Sequence, residues 1–145
     1  MKVVAKRRFR APRERIFRAF TDPMELPHWF SPSEDIATDV VELDLREGGA
    51  YRFGFHLPDG VVDYVLGTFE EVSPPGRLVF TWTWAEPDPH AGIETLVTVE
   101  FIAHDEETEV VVTHDRFPNE EARARHDEGW QGTFDRLATL LNGTE

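Results

Sequence analysis

The chain has 145 residues, no Cys, 15 Lys+Arg against 28 Asp+Glu and a net charge of −13. The absence of Cys excludes disulfides, thiol nucleophiles and thiolate metal sites, and a field of that sign repels phosphate backbones and anionic lipid, so neither nucleic acid nor membrane is expected as a partner. One domain spanning residues 1–145 is expected, large enough to bury about 70 % of its unfolded surface; with no apolar run of signal-peptide or membrane-span length, the expected location is cytoplasmic.

Residues 1–18 hold eight of the 15 Lys+Arg and one acid, Glu14, giving +7 locally and −20 over the remainder. Val3 through Arg10 has the length and β-branched start of a strand. It is expected at a sheet edge, where outward Lys6, Arg8 and Arg10 meet acidic neighbours and deter edge-to-edge pairing; a contact surface for an acidic partner is the alternative. Pro12 tolerates a first helical turn, and Ile16, Phe17 and Phe20 recur at helical spacing, which predicts a short helix over Pro12 through Phe20. Thr21-Asp22-Pro23 repeats that start signal. A second, irregular helix of at most two turns is predicted over Pro23 through Phe30, interrupted by Pro27.

From Ile36 the period of apolar residues changes to two. Six further strands are predicted: Ile36 through Leu45, Ala50 through Leu57, Val61 through Val72, Leu78 through Trp84, Thr95 through Ala103 and Glu107 through Asp115. Their connections are too short for parallel crossovers, so the sheet is antiparallel. The loop around Pro87-Asp88-Pro89 is expected to be a mobile surface segment, with Asp88 and its acidic neighbours fringing a cavity entrance as the alternative. Alternation assigns inward faces to Tyr51, Phe53 and Phe55, to Leu78, Phe80, Trp82 and Trp84, to Val97, Val99 and Phe101, and to Val110, Val112 and His114.

The last element, Asn119 through Leu141, places Ala122, His126, Trp130, Phe134, Leu137 and Leu141 on one helical face. Gly129 and Gly132 each cost about 1 kcal/mol relative to alanine inside a helix, but the apolar stripe runs through both in phase, which predicts one unbroken helix. It alone is long enough to cover a sheet face. The pattern therefore gives an α+β fold: a curved antiparallel sheet of about seven strands around a long C-terminal helix, with two short helices after strand 1.

Taken together and in order, APRERIFRAFTDPMELPHWF, GGAYRFGF, GTFEEVSPPGRLVFTWTW, VTVEF, THDRF and HDEGWQGTFDRLATLL resemble the activator of heat-shock-protein-90 ATPase-like family. That family lies within the START-related helix-grip superfamily, which includes polyketide cyclases. The resemblance covers nearly the whole chain and implies a helix-grip fold with a cavity between sheet and long helix. The co-chaperones that gave the family its title carry an additional N-terminal domain not represented in these 145 residues, so heat-shock-protein activation is not expected from the resemblance, and no cyclase motif maps onto these residues.

The cavity implied by the resemblance would be walled by Trp29, Phe30, Phe53, Phe55, Trp82, Trp84, Trp130 and Phe134, with His114 and His126 at its mouth. Aromatic walls suit a small hydrophobic or aromatic ligand with few polar groups. His114, His126 and Tyr64 are the candidate acid/base groups, although packed histidines with one or two hydrogen bonds are the plainer expectation. His56 falls on the face opposite Phe53 and Phe55. Gly129, at the border of the apolar face, is expected to let the helix approach the sheet or to leave room beside Trp130. No metal and no cofactor are expected: HExxH, paired histidines at i, i+4 and phosphate-cradling glycine motifs are all missing. Ser31, Ser33 and Ser73 sit beside prolines outside any nucleophile motif. Three readings follow: a small-molecule-binding protein, a cavity enzyme of cyclase, dehydratase or hydrolase type, and a stress-related interaction module. A homodimer is plausible for the family.

Overall fold

The computed structural model describes residues 1–142. Strand β1 (Val3–Phe9) leads through Ala11-Pro12 into helix α1 (Arg13–Thr21), a single 3-10 turn (Leu26–His28), six further strands and the closing helix α2 (Glu120–Asn142). The strands are β2 (Ala37–Leu43), β3 (Ala50–His56), β4 (Val62–Ser73), β5 (Arg77–Trp84), β6 (Thr95–His104) and β7 (Glu107–Asp115). The sheet order is β1-β7-β6-β5-β4-β3-β2. Every named neighbour pair is antiparallel. The meander β2 to β7 follows from the short connections, and β1 closes the order by pairing with β7. Register breaks at Val40/Glu42 and Phe69/Glu71 supply the local bends that let a twisted sheet curve.

The second predicted helix is reduced to that one turn. Pro27 lies within it, and the Trp29 N–H donates to Leu26 O at 3.2 Å. What fixes the segment is side-chain anchoring: Trp29 is fully buried, its Nε1–H donates to Ala19 O at 2.9 Å, and its ring meets Phe20 edge-on at 4.7 Å.

Helix α2 lies across the inner face of the sheet, with Ala122, His126, Trp130, Phe134 and Leu137 buried. Asn119 caps its start by accepting from the Ala122 N–H at 2.9 Å, and Glu120 and Glu121 complement the positive end of the helix dipole. At β1, Val3, Ala5 and Phe9 face inward. Arg7 shares that side and reaches α2, its guanidinium bonding Asp135 at 2.5 Å and lying 5.6 Å from the Phe134 ring centroid. Of the outward cations, Arg8 meets Glu107 at 3.7 Å. Among the described residues no helix is long and apolar enough to cross a membrane.

Candidate functional site

The interior is not one continuous cavity. Around Tyr51, Phe53, Phe69 and Phe80 only about 10 Å³ is free, and Phe9 and Phe134 meet edge-on at 5.7 Å between β1 and α2. Open space gathers at one end. There the first half of α2, the segment Phe30–Ser33, the facing ends of β3 and β4 and the end of β5 enclose a pocket of about 430 Å³.

Six of the aromatic and histidine side chains expected at a cavity line it: Phe30, Phe55, Trp82, Trp84, His126 and Trp130. Trp29, Phe53, His114 and Phe134 are buried and lie outside its lining. Strand parity for Phe53 and His114, the helical stripe for Phe134 and the second predicted helix for Trp29 point to the interior, where all four are buried, but the interior is mostly filled, and inward is not the same as pocket-facing. Tyr64 is placed elsewhere. Its neighbour Val65 points inward, so Tyr64 takes the opposite side of β4, where the Arg52 guanidinium covers its ring at 4.5 Å. It has no route to the pocket as an acid or base.

Both candidate histidines are saturated in their neutral forms. An indole N–H can only donate. Trp84 Nε1–H donates to His126 Nε2 at 2.9 Å, so that nitrogen is an acceptor, and Nδ1–H donates to Ala122 O at 2.7 Å. Trp130 Nε1–H donates to His114 Nδ1 at 3.0 Å, leaving Nε2–H to donate to Thr95 Oγ1 at 2.7 Å. The Thr95 hydroxyl then donates to Trp82 O at 2.9 Å. Protonating either ring would set an N–H against an indole N–H. Burial pushes the His114 imidazole well below its usual range, helped by His126 beside it. Burial likewise lowers His126 to about 4, against the partial support of its bond to Ala122. These rings brace indoles of the pocket wall and cannot serve as acid/base groups near neutrality.

The polar chemistry lies in Asp63, Asp88 and Arg125, none of them among the residues expected to wall the cavity or to act as acid or base. Asp88 is not on a free surface loop: its side chain is 1 % exposed. Arg125 on α2 grips it with two charge-assisted bonds, Nη1 to Oδ1 at 2.8 Å and Nη2 to Oδ2 at 2.7 Å, and the His90 N–H donates to Oδ1 at 2.8 Å. The same guanidinium lies 5.0 Å from the Trp84 ring centroid and 3.7 Å from Asp63 Oδ2. Asp63, on β4, lines the pocket. Burial and the neighbouring Asp88 carboxylate push its carboxyl up to about 7, with Arg125 only partly offsetting them. Burial would also raise Asp88, but its bonds to Arg125, Asp63 and the His90 N–H outweigh this and hold it low, at about 2. Asp63 is thus the protonated partner and Asp88 the anion. Asp63 Oδ1 and Trp82 Nε1 are buried without a hydrogen-bond partner among the described residues.

Two signals in the sequence pointed this way. Asp63 shares the parity of Val65 and Phe69 and so faces inward from a strand otherwise apolar on that side. Arg125, Gly129 and Thr133 recur every fourth residue, one step beside the buried stripe, and all three line the pocket. The two glycines separate in role. A Cβ on Gly132 would lie 2.0 Å from the Pro32 carbonyl oxygen, so the close approach of α2 is made there, to a loop and not to the sheet. A Cβ on Gly129 would meet only Pro32 Cβ at 4.0 Å; this is the glycine that leaves room beside Trp130. The Thr133 hydroxyl is shared between Gly129 O at 2.8 Å and Ser31 O at 3.2 Å, and Arg136 donates to Ser31 Oγ and, at 3.3 Å, to His28 O. Helix and loop are thereby clamped into one wall. Among the described residues no group of three or more His, Asp or Glu is placed to hold a metal ion.

The architecture recurs in solved structures. A protein from Chromobacterium violaceum, 26 % identical, superposes with a TM-score of 0.86 over 97 % of this chain and 96 % of its own. The AHSA1 protein from Silicibacter pomeroyi, 24 % identical, gives 0.87 with both chains covered to 100 %. A protein from Nitrosomonas europaea, 25 % identical, gives 0.82 over 100 % of this chain and 96 % of its own. No curated protein shows a significant match. Residues 10–142 match the model of the Activator of Hsp90 ATPase homolog 1-like protein family, and the chain belongs to that family.

Proposed function

We propose that the chain binds a small, predominantly apolar molecule in the pocket at the Trp84–Trp130 end, its flat body against the indoles. The family and fold are in general those of ligand-binding or interaction modules. The observation that carries the narrower reading is the pocket itself. It offers about 430 Å³ walled by Phe30, Phe55, Trp82, Trp84 and Trp130, within the volume range of small-molecule sites. The indoles of Trp84 and Trp130 are pinned by His126 and His114, so the wall is pre-organised and a ligand pays little ordering entropy on entry.

The test is native mass spectrometry of the purified protein for a retained ligand, followed by thermal unfolding with a panel of aromatic compounds. A true ligand at a hundredfold excess over Kd stabilises by about 2.7 kcal/mol. Gly129→Leu, which extends a side chain into the pocket, should abolish the stabilisation. Unchanged binding in that variant would place the ligand elsewhere and refute the reading. The same mass spectrum reports whether the protein is a homodimer.

A cavity enzyme is the second reading, and Asp63 is the observation that favours it. A pocket carboxyl raised to about 7 has the proton affinity a general acid or base needs at neutral pH. In that reading Asp63 takes the role first given to His114, His126 and Tyr64, and Asp63→Asn abolishes turnover while leaving affinity.

A further inference from the structure

The pocket ends against two carboxyl groups that share one guanidinium. Arg125 spends its charge on Asp88 through two bonds of 2.8 and 2.7 Å. It approaches Asp63 only at 3.7 Å, and Asp63 Oδ1 accepts no bond among the described residues. Among the described residues no second Arg or Lys lines the pocket. His90 and Asp88 come from the loop after β5, while Arg125, His126 and Glu128 come from α2. His126 is kept neutral by Trp84 and Ala122, the His90 ring lies 6.1 Å from that of His126, and Glu128 adds a further carboxylate to the lining. Across the sheet, His56 and Asp39 bond each other on the exposed face, at 2.5 Å.

Among the described residues Asp63 therefore has only the longer, outer share of Arg125 and no cation of its own. Below about pH 7 a bound proton neutralises it. The rest of the pocket suits a cation as well. Indole and phenyl faces carry negative potential and attract ammonium groups, and a chain of net charge −13 concentrates cations and repels anions.

We propose that the pocket selects lipophilic cations: a protonated amine takes Asp63 as its counter-ion while its aromatic or apolar body lies against Trp82, Trp84 and Trp130. This deepens, and rests on, the assignment of the pocket as a small-molecule site. The exchange balances. The protonated Asp63 carboxyl and the ammonium ligand give a carboxylate–ammonium pair and release one proton to solvent. No covalent bond in the ligand changes.

Three indoles with the same two-methylene spacer before the polar group separate the possibilities: tryptamine, a cation; tryptophol, neutral; and indole-3-propionate, an anion. Their binding is measured by isothermal titration calorimetry at pH 6 and pH 8, each in two buffers of different ionisation enthalpy. Tryptamine is expected to bind about tenfold or more tightly than tryptophol at pH 8, where Asp63 is ionised in the empty pocket, with indole-3-propionate weakest. Tryptamine binding should release close to one proton at pH 6 and far less at pH 8. Asp63→Asn should reduce tryptamine to the affinity of tryptophol and leave tryptophol unchanged, whereas Asp63→Glu, which keeps the charge, should retain a preference for the amine. Equal affinities for tryptamine and tryptophol, or an amine preference that survives Asp63→Asn, overturns the cation assignment while leaving the pocket a ligand site. Failure of all three indoles to bind, with no aromatic compound stabilising the protein, overturns both.

Discussion

Gly132→Ala should destabilise this protein even though alanine is the better helix former. The new Cβ would lie 2.0 Å from Pro32 O and 3.0 Å from Pro32 C. A carbon–oxygen contact needs about 3.3 Å, so helix and loop must part by more than 1 Å. They cannot part freely, because Thr133 and Arg136 tether the same loop through Ser31 and His28. Overpacking of this kind costs about 1–3 kcal/mol. The obstructing atom is backbone and cannot rotate away, so the upper half of that range applies. Set against about 1 kcal/mol gained in helix propensity, the net loss is about 1–2 kcal/mol, lowering Tm by about 3–8 °C. Gly129→Ala, one turn earlier, meets only Pro32 Cβ at 4.0 Å and should be neutral or stabilising by up to about 1 kcal/mol. Urea unfolding followed by tryptophan fluorescence and far-UV circular dichroism measures both. A Gly132→Ala protein as stable as wild type would show that α2 does not seat on Pro32 as described, and the rigid pocket wall built on that seat would go with it.

Arg125→Ala leaves the Asp88 charge buried and uncompensated, which should cost about 3–5 kcal/mol in chemical denaturation; Arg125→Lys should recover only part, having no planar fork to match both oxygens. His114→Ala strands the Trp130 Nε1–H and opens a cavity, with an expected loss of about 2–4 kcal/mol and a shifted Trp130 emission; an unchanged spectrum would contradict the indole–imidazole bond. Stability against pH should show two opposed slopes. His126, held below its unfolded value, is destabilising on acidification as the unfolded chain takes up its proton first, by about 3 kcal/mol between pH 6.5 and 4. Asp63, held above its unfolded value, works in the other sense: the folded protein binds its proton first as pH falls through 7, and the carboxyl costs stability above that point. Asp63→Asn should therefore be more stable than wild type at pH 8, by about 1–2 kcal/mol after allowing for solvent screening, and should lose stability more steeply than wild type from pH 6.5 to 4; parallel profiles would refute the assignment of the raised group. Tyr64→Phe, on the opposite side of β4, should leave ligand binding unaltered in the same calorimetric assay.

What the sequence determined by itself was whatever a local period encodes. Alternation along Leu78-Phe80-Trp82-Trp84 and Val97-Val99-Phe101 fixed which faces are inward, because a strand's side chains alternate whatever else the chain does. Short turns made the sheet antiparallel, and the four-residue recurrence from Ala122 to Phe134 carried α2 through its glycines. The irregular turn at Leu26–His28 was less legible, since a tertiary anchor, Trp29 under Ala19, holds it in place of a helical pattern. The site was legible only in part. Phe55, Trp82 and Trp84 follow from strand parity and His126 and Trp130 from the helical stripe, but neither period can tell filled interior from open pocket, so Trp29, Phe53, His114 and Phe134, expected at the cavity, do not line it. It also cannot show that an indole 42 residues away occupies a histidine's acceptor nitrogen. How the charge cluster is paired was decided by the tertiary structure. Asp63, Asp88 and Arg125 come from a strand, a loop and a helix far apart along the chain, each an ordinary surface residue by composition. Only their convergence gives Asp88 the two short bonds and leaves Asp63 the longer contact, because two carboxyl groups compete for a single guanidinium.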